Sequence, residues 1–451
     1  MASAYRRGLI WVLLCVGISV LWGTWIAHTK SAWLDFRAVY AGTRCLIHGH
    51  NPYDVSELAR EYLSEDGQRP TTPPTAFRSI TLYVNVPATF VFVAPFAALP
   101  WGPACVLWML LTGAALIVAI LLMWSVGARS AAGVSTALVC ILAVNCESVF
   151  AGGNTAGIVV GLCGIAVWCF LENRFVQIGV VCLALSLVVK PHDAGLVWLY
   201  FVLAGGINRK RALASAAITA VIVLASLVWI WHVAPSWMQD WKANLAAISA
   251  HGGINEPGPS ARTDTIFSIV DLQAAISIFR DDPGFYNLAS YLICGAFMIV
   301  WAIGTLRRSF SARSAWLALA VATTFTLLLT YHRVWDAKLV MLAIPACCML
   351  WAEGGAFGKA AAMITSIAAF LTGDLSLTTF YVIFSSIHVN PSWMLAPAIT
   401  VVLTRPASLA LLAMGIFYLW AYVRRARPLE PASSAIEEKE RVSQGGMARH
   451  S

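Results

Sequence analysis

Long apolar runs separated by short polar breaks dominate the chain and set its element list. After Arg6 and Arg7, the first run covers Gly8 to Ala27 and has no small-residue cleavage site, so it reads as a retained signal anchor. Further helices are expected at 104–126, 133–150, 154–171, 175–190, 194–207, 212–232, 286–306, 314–331, 338–352, 357–373 and 406–423. Many of these runs suit a hydrocarbon core about 30 Å thick. The pattern predicts an all-α polytopic membrane protein with about twelve transmembrane helices, within a range of about 11 to 14. The stretch 375–404 stays open between an extra pair of short crossings and an outer re-entrant hairpin. Either option leaves the C terminus on the same side.

Orientation turns on the segment 83–99, which carries Asn85, Pro87 and Pro95. If it crossed, the basic stretches Asn208–Arg211 and Arg307–Arg313 would lie outside, against the rule that short cytoplasmic loops collect Lys and Arg. We therefore read it as interfacial or re-entrant. The inner connections then hold Arg129, Arg174, Arg209, Lys210, Arg211, Arg307, Arg308, Arg313 and Lys359 against Glu172 and Glu353. Both termini are cytoplasmic, and the extracytoplasmic loops are 28–103 and 233–285. Residues 1–427 form one membrane domain. The tail 428–451 mixes charged residues with Ser, Gly and Pro and is expected to be disordered in the cytoplasm.

Composition narrows the function classes. With 59% hydrophobic and 12% charged residues, the chain is too apolar for a soluble pair of domains. The net charge of +8 follows from helix orientation, so no nucleic-acid partner is expected. All cysteines except Cys45 sit in apolar stretches without CxxC spacing, which points to packing rather than disulfides or zinc. No P-loop, Rossmann fingerprint, HExxH or GxSxG motif occurs in a suitable context. Nucleotide-driven transport and the common hydrolase mechanisms lose support; ion-coupled transport does not.

The polar groups that remain concentrate on the outer side, where every histidine except His450 falls. Asp35 lies just beyond the first helix, followed by Phe36, Tyr40 and the Asn51-Pro52-Tyr53-Asp54 stretch. A carboxylate near a membrane surface is partly desolvated, which suits a general base; a capping or solvated loop aspartate is the simpler reading. Ala151-Gly152-Gly153-Asn154 forms a tight outer turn in which Asn154 can cap the next helix. Glu147 is unusual within an apolar run. Lys190-Pro191-His192-Asp193 places three ionisable groups at a helix break, as in ligand sites lined by interrupted helices. Snorkelling to the interface is the alternative for Lys190. In Tyr331-His332-Arg333-Val334-Trp335-Asp336-Ala337-Lys338, the aromatics fit an interfacial belt, which leaves His332, Arg333 and Asp336 unexplained. The loop 233–285 is long enough to cover a site.

These motifs together resemble the membrane glycosyltransferases of family 87, which have the GT-C fold. The features are Asp35-Phe36, Asn51 to Asp54 after a glycine, Gly153-Asn154, Lys190-Pro191 and the His332-bearing outer turn. The resemblance spans about residues 20–350. It implies transfer of a hexose, typically mannose, from a polyprenyl-phosphate sugar to a lipid-linked or cell-envelope glycan acceptor. The site would face the extracytoplasmic side of the plasma (inner) membrane, with membrane lipids as further partners and neither cofactor nor metal. On that basis Asp35 is the expected base, with inversion at the anomeric carbon, and Lys190 and Arg333 hold the donor phosphate. His192 and His332 are candidates for leaving-group or sugar contacts, with Asp193, Asp336 and Tyr40 as further substrate-side candidates. Asp54 and Asn154 are expected to hold the site together. A transporter or flippase of a lipid-linked sugar is the competing reading.

Overall fold

The computed structural model describes residues 2–26, 33–65, 82–259, 267–387 and 397–425. The tail 428–451 and residues 388–396 of the open segment lie outside the described residues. Helix α1 is Ala2–Ile26, followed by α2 (Leu34–Ile47), α3 (Val55–Glu65) and α4 (Ala88–Ala97). At ten residues, α4 is about 15 Å long, half a hydrocarbon core.

Next comes α5 (Trp101–Ala143), 43 residues interrupted at Ala131 (φ −150°, ψ 84°). Ser135 Oγ donates to Trp124 O at 2.9 Å, and Trp124 Nε1 donates to Thr136 Oγ1 at 3.1 Å. Residues so far apart on a straight helix would be separated by roughly 16–18 Å, so α5 folds back at Ala131 into a hairpin. The break expected between 126 and 133 is there, but the second arm ends at Ala143. The rest of that expected helix is α6 (Glu147–Gly152), set off by a turn.

After α7 (Thr155–Leu171) and α8 (Val176–Val189), the chain breaks at Lys190 and resumes as α9 (Pro191–Ala204). Proline at the first helical position explains the restart, since it fits there and cannot continue the helix before it. Then follow α10 (Gly206–Val233), α11 (Trp237–Ser249), α12 (Leu272–Ile276), α13 (Pro283–Arg307) and α14 (Ala312–Leu329). A 3-10 helix, Asp336–Ala343, continues into α15 (Ile344–Ala352), and α16 (Gly355–Leu371), α17 (Asp374–Ile387), α18 (Pro397–Thr404) and α19 (Pro406–Arg425) close the order.

Among the described residues, six helical stretches are long and apolar enough to cross a membrane, the folded-back stretch Trp101–Gly152 being counted as one, or seven if the bent pair 355–371 and 374–383 is one span. This is fewer than the apolar runs suggested. The run at 338–352 opens as 3-10 helix, and α7, α8 and α9 are each too short to meet a full-length criterion. The most apolar window of α14 is 83% buried, whereas those of α10 and α13 are 17% and 22% buried. Thus α14 forms the centre, and α10 and α13 turn Val221, Leu224, Val228, Leu288 and Leu292 outward, where lipid satisfies them.

Helix α11 is tied to the segments that flank α2 and α4. Asn244 Nδ2 donates to Tyr53 O at 2.9 Å, Trp241 Nε1 donates to Val84 O at 2.9 Å, and Asn51 Nδ2 donates to Asp240 at 2.8 Å. These bonds clasp α11 to residues 51–53 and 84. An isolated antiparallel bridge joins Ile269 to Arg333, with Val270 N donating to His332 O at 3.0 Å. Buried Arg405 anchors this region, its guanidinium donating to Ala274 O (3.1 Å), Pro257 O (3.0 Å) and Gly258 O (3.2 Å). Arg405→Ala leaves three carbonyls without that donor and is expected to cost about 3 kcal/mol or more. Hydrogen exchange should then rise at Gly258 and Ala274 in the purified protein; unchanged protection would contradict the anchor.

Candidate active site

Asp35 sits in the first turn of α2, which starts from Trp33 in the left-handed region (φ 66°). The α6–α7 turn holds it there: Trp33 N donates to Ala151 O at 2.8 Å. A Cβ on Gly152 would lie 3.2 Å from Asp35 Oδ2, and one on Gly153 (φ +62°) would lie 2.7 Å from Phe36 Cβ. Only glycines let the turn come this close.

Asn154 has two roles. Its Oδ1 accepts from Ala156 N at 2.8 Å, capping α7, and this fixes its Nδ2 to donate to Asp35 Oδ2 at 2.9 Å. Among the described residues, Asp35 Oδ1 carries no hydrogen bond and the residue is only half-buried. Phe36 stacks on Trp108 (4.5 Å between centroids) and Trp101 (5.5 Å), walling one side, and Trp108 Nε1 donates to Gly153 O at 2.8 Å. Burial raises the Asp35 carboxyl above its ordinary value, against the opposing pull of the Asn154 hydrogen bond and the charges of Arg333 and Lys190. Both cations therefore lie within electrostatic reach of the carboxylate.

The cations belong to a second cluster where the α8–α9 break meets the turn after α14. Lys190 Nζ is 3.5 Å from Asp193 Oδ2 and also pairs with Asp336. Asp336 Oδ2 accepts from Arg333 N at 2.8 Å. His332 is fully buried; its Nδ1 lies 2.8 Å from Thr330 O, and its Nε2 lies 3.0 Å from Asp193 Oδ1. A carbonyl at one nitrogen and a carboxylate at the other both favour the protonated ring. Its pKa is raised accordingly: burial works against the charge, but the hydrogen bond and charge of Asp193 outweigh it. Lys190 and His332 thus face Asp193 and Asp336, and Arg333 joins the cluster through its backbone N–H to Asp336.

Access separates these residues. Asp193, His332 and Asp336 are buried, whereas His192 is exposed, with its ring 5.1 Å from that of His332, and Lys190 is partly open. The Arg333 guanidinium donates to the Tyr331 hydroxyl, Ile254 O and Asn255 Oδ1, and it lies over the Trp335 ring at 5.2 Å. Loop 233–285 is thereby tied to the cluster. His192, Asp193 and His332 bring possible metal-ligand atoms within 4.8 Å of one another, as do His251, Glu256 and Asp281. Lys190 beside Asp193 competes with a cation at the first group.

Two expected residues stand outside this arrangement. The Tyr40 hydroxyl donates to Leu99 O at 2.7 Å and accepts from Arg44 at 3.0 Å, in a buried position. Asp54 caps α3, accepting from the Ser56 hydroxyl at 2.5 Å, Glu57 N at 3.0 Å and Ser56 N at 2.8 Å, and these bonds, the hydroxyl's first, hold its carboxyl below the ordinary value. Sequence reasoning missed Asn145, Ser148, Asp374 and Arg405. Glu147 was flagged within its apolar run and Lys338 closed a quoted motif, but their surroundings only become visible in three dimensions.

A family model described as glycosyltransferase family 87 matches residues 83–331, more than half of the chain. Asn154 and Lys190 lie inside the matched stretch; Asp35 precedes it, and His332, Arg333 and Asp336 follow it directly. No curated protein matches the chain.

Proposed function

Because the chain belongs to glycosyltransferase family 87 and its apolar helices make it a multi-pass membrane protein, we propose that it transfers a hexose, on the family resemblance mannose, from a polyprenyl-phosphate donor. The acceptor is a lipid-linked or cell-envelope glycan, and transfer takes place on the extracytoplasmic face of the plasma membrane. In this reading the fold is GT-C-like, with about twelve crossings when short and broken helices are included, and both termini are cytoplasmic.

One observation carries the proposal. Asp35 is fixed through Oδ2 by Asn154, keeps Oδ1 open, and lies in the field of Lys190 and Arg333. In the reaction, the acceptor hydroxyl gives its proton to Asp35 Oδ1 as its oxygen attacks the anomeric carbon. The bond from that carbon to the phosphate oxygen breaks, and polyprenyl phosphate leaves with the electron pair. Attack opposite the leaving group inverts the anomeric configuration. The cations Lys190 and Arg333 stabilise the charge growing on the phosphate, with Lys190 and His192 as the groups a substrate can reach. Buried Asp193, His332 and Asp336 hold Lys190 and Arg333 in place.

Mass spectrometry of lipid-linked and envelope glycans from cells with and without the gene should reveal one glycan lacking a hexose and its unextended precursor accumulating. Identical glycan profiles would contradict the proposal. Sealed vesicles that move a lipid-linked sugar without forming a glycosidic bond would instead favour a flippase.

The base also sets a pH dependence. Asp35 must be deprotonated to act, and its carboxyl is raised by burial, so activity is expected to fall as pH drops through that raised value. The acid limb of kcat/KM should therefore lie above the ordinary carboxylate value of about 4. A limb at or below that value would contradict Asp35 as base.

A further inference from the structure

A second polar cluster lies at the start of α6, whereas Asp35 meets the end of that helix at Gly152. Ser148, in the first turn of α6, donates through its N–H to Asp374 Oδ2 at 3.1 Å and through Oγ to Asp374 Oδ1 at 2.7 Å. Lys338 Nζ, also buried, is 3.6 Å from Asp374 Oδ1 and makes no hydrogen bond. Asp374 opens α17 at the sharp bend after α16, where the pair of helices turns by 62°. Asn145 locks that bend: its Oδ1 accepts from Leu375 N at 2.9 Å, and a Cβ on Gly373 would lie 2.3 Å from its side chain.

These contacts join the two halves of the site. One end of the six-residue α6 is held by Asp374; from the other end, Ala151 O holds Trp33 N, and Gly152 and Asn154 fix Asp35. The 3-10 helix presents Asp336 to Lys190 and, two residues on, Lys338 to Asp374. A path of fixed contacts thus runs from the base through α6 and Asp374 to the phosphate-side cations.

We infer that Asp374 is a positioning residue: with Ser148 and Lys338 it makes α6 a strut that sets the Asp35 carboxylate relative to the Lys190–Asp336 cluster. This rests on the functional reading above for its kinetic consequence, and on geometry alone for the strut. Such a residue touches no substrate, yet displacement of a reacting group by about 1 Å costs on the order of 100-fold in rate.

The test uses the full chain purified in detergent, with donor KM, kcat and the pH profile measured for Asp374→Asn, Ser148→Ala and Asn154→Ala. Asp374→Asn should lower kcat about 10- to 100-fold and leave donor KM within about twofold, since Lys190 keeps its partners. Loosening α6 weakens the Asn154 bond that lowers the Asp35 pKa, so the acid limb should move to higher pH, as in Asn154→Ala. The double variant Asn154→Ala with Asp374→Asn should be barely worse than Asn154→Ala alone. An unchanged limb, or effects that multiply independently, would overturn the inference. Should Asp374→Asn fail to fold, Ser148→Ala removes only the 2.7 Å bond and decides the matter by the same limb. Hydrogen exchange at Trp33 N, held by Ala151 O, should rise in either variant and needs no turnover. Unchanged exchange overturns the strut, whereas a wild type with no transferase activity and raised exchange in the variants removes only the functional reading.

Discussion

Asp35→Asn is expected to lower kcat by about 10²- to 10⁴-fold, the span a positioned general base supplies, while donor KM and folding stay near wild type. The substitution keeps the shape of the side chain. Its amide oxygen can accept from Asn154 Nδ2 as Asp35 Oδ2 does at 2.9 Å, so the turn at Gly152 and Gly153 need not move. Lost are the basic lone pair on Oδ1 and the negative charge beside Lys190 and Arg333. Without that charge the cations bind an anionic donor no less well, so the loss falls on the chemical step and spares ground-state binding. Initial rates over a donor series separate the two; a variant with full kcat would remove Asp35 from the mechanism.

Lys190→Met should have the second large effect, on stability as well as turnover. Lys190 lies between Asp193 and Asp336, both about 1% exposed. Removing the shared cation leaves two buried carboxylates facing each other, and breaking a buried pair in this way costs about 3–5 kcal/mol. Methionine fills most of the volume, so packing contributes little to the loss. The thermal midpoint in detergent should drop by several degrees and donor KM should rise. Restoring charge balance with Lys190→Met together with Asp336→Asn should recover much of the midpoint but none of the donor affinity. A single variant as stable as wild type would show that the carboxylates are balanced by His332 and Arg333 alone.

The apolar pattern made much of the architecture legible because local events govern it. Pro191 after Lys190 marks the α8–α9 break, and the charge at Arg129 placed the fold-back that the chain makes at Ala131. The 3-10 helix at Asp336–Ala343 was not legible, since its sequence continues an apolar run without glycine or proline. Site residues divide the same way. Asp35, Lys190, His332 and Asp336 stood out as charges beside membrane segments. Their pairing did not, because Asn154 meets Asp35 across 119 positions and Ser148 meets Asp374 across 226. Tyr40, a substrate-side candidate in sequence, is occupied by Leu99, 59 positions away, and Asp54, expected to hold the site together, caps α3 through Ser56 and Glu57.

Reconstitution tests the central claim most directly. The purified chain in liposomes would receive polyprenyl-phosphate mannose and other polyprenyl-phosphate hexoses with a lipid-linked glycan acceptor, and the products would be read by mass spectrometry and by anomeric NMR couplings. The account predicts one new glycosidic bond, of configuration opposite to that of the donor, that is lost in Asp35→Asn. A product with retained configuration, or equal product from Asp35→Asn, would contradict it.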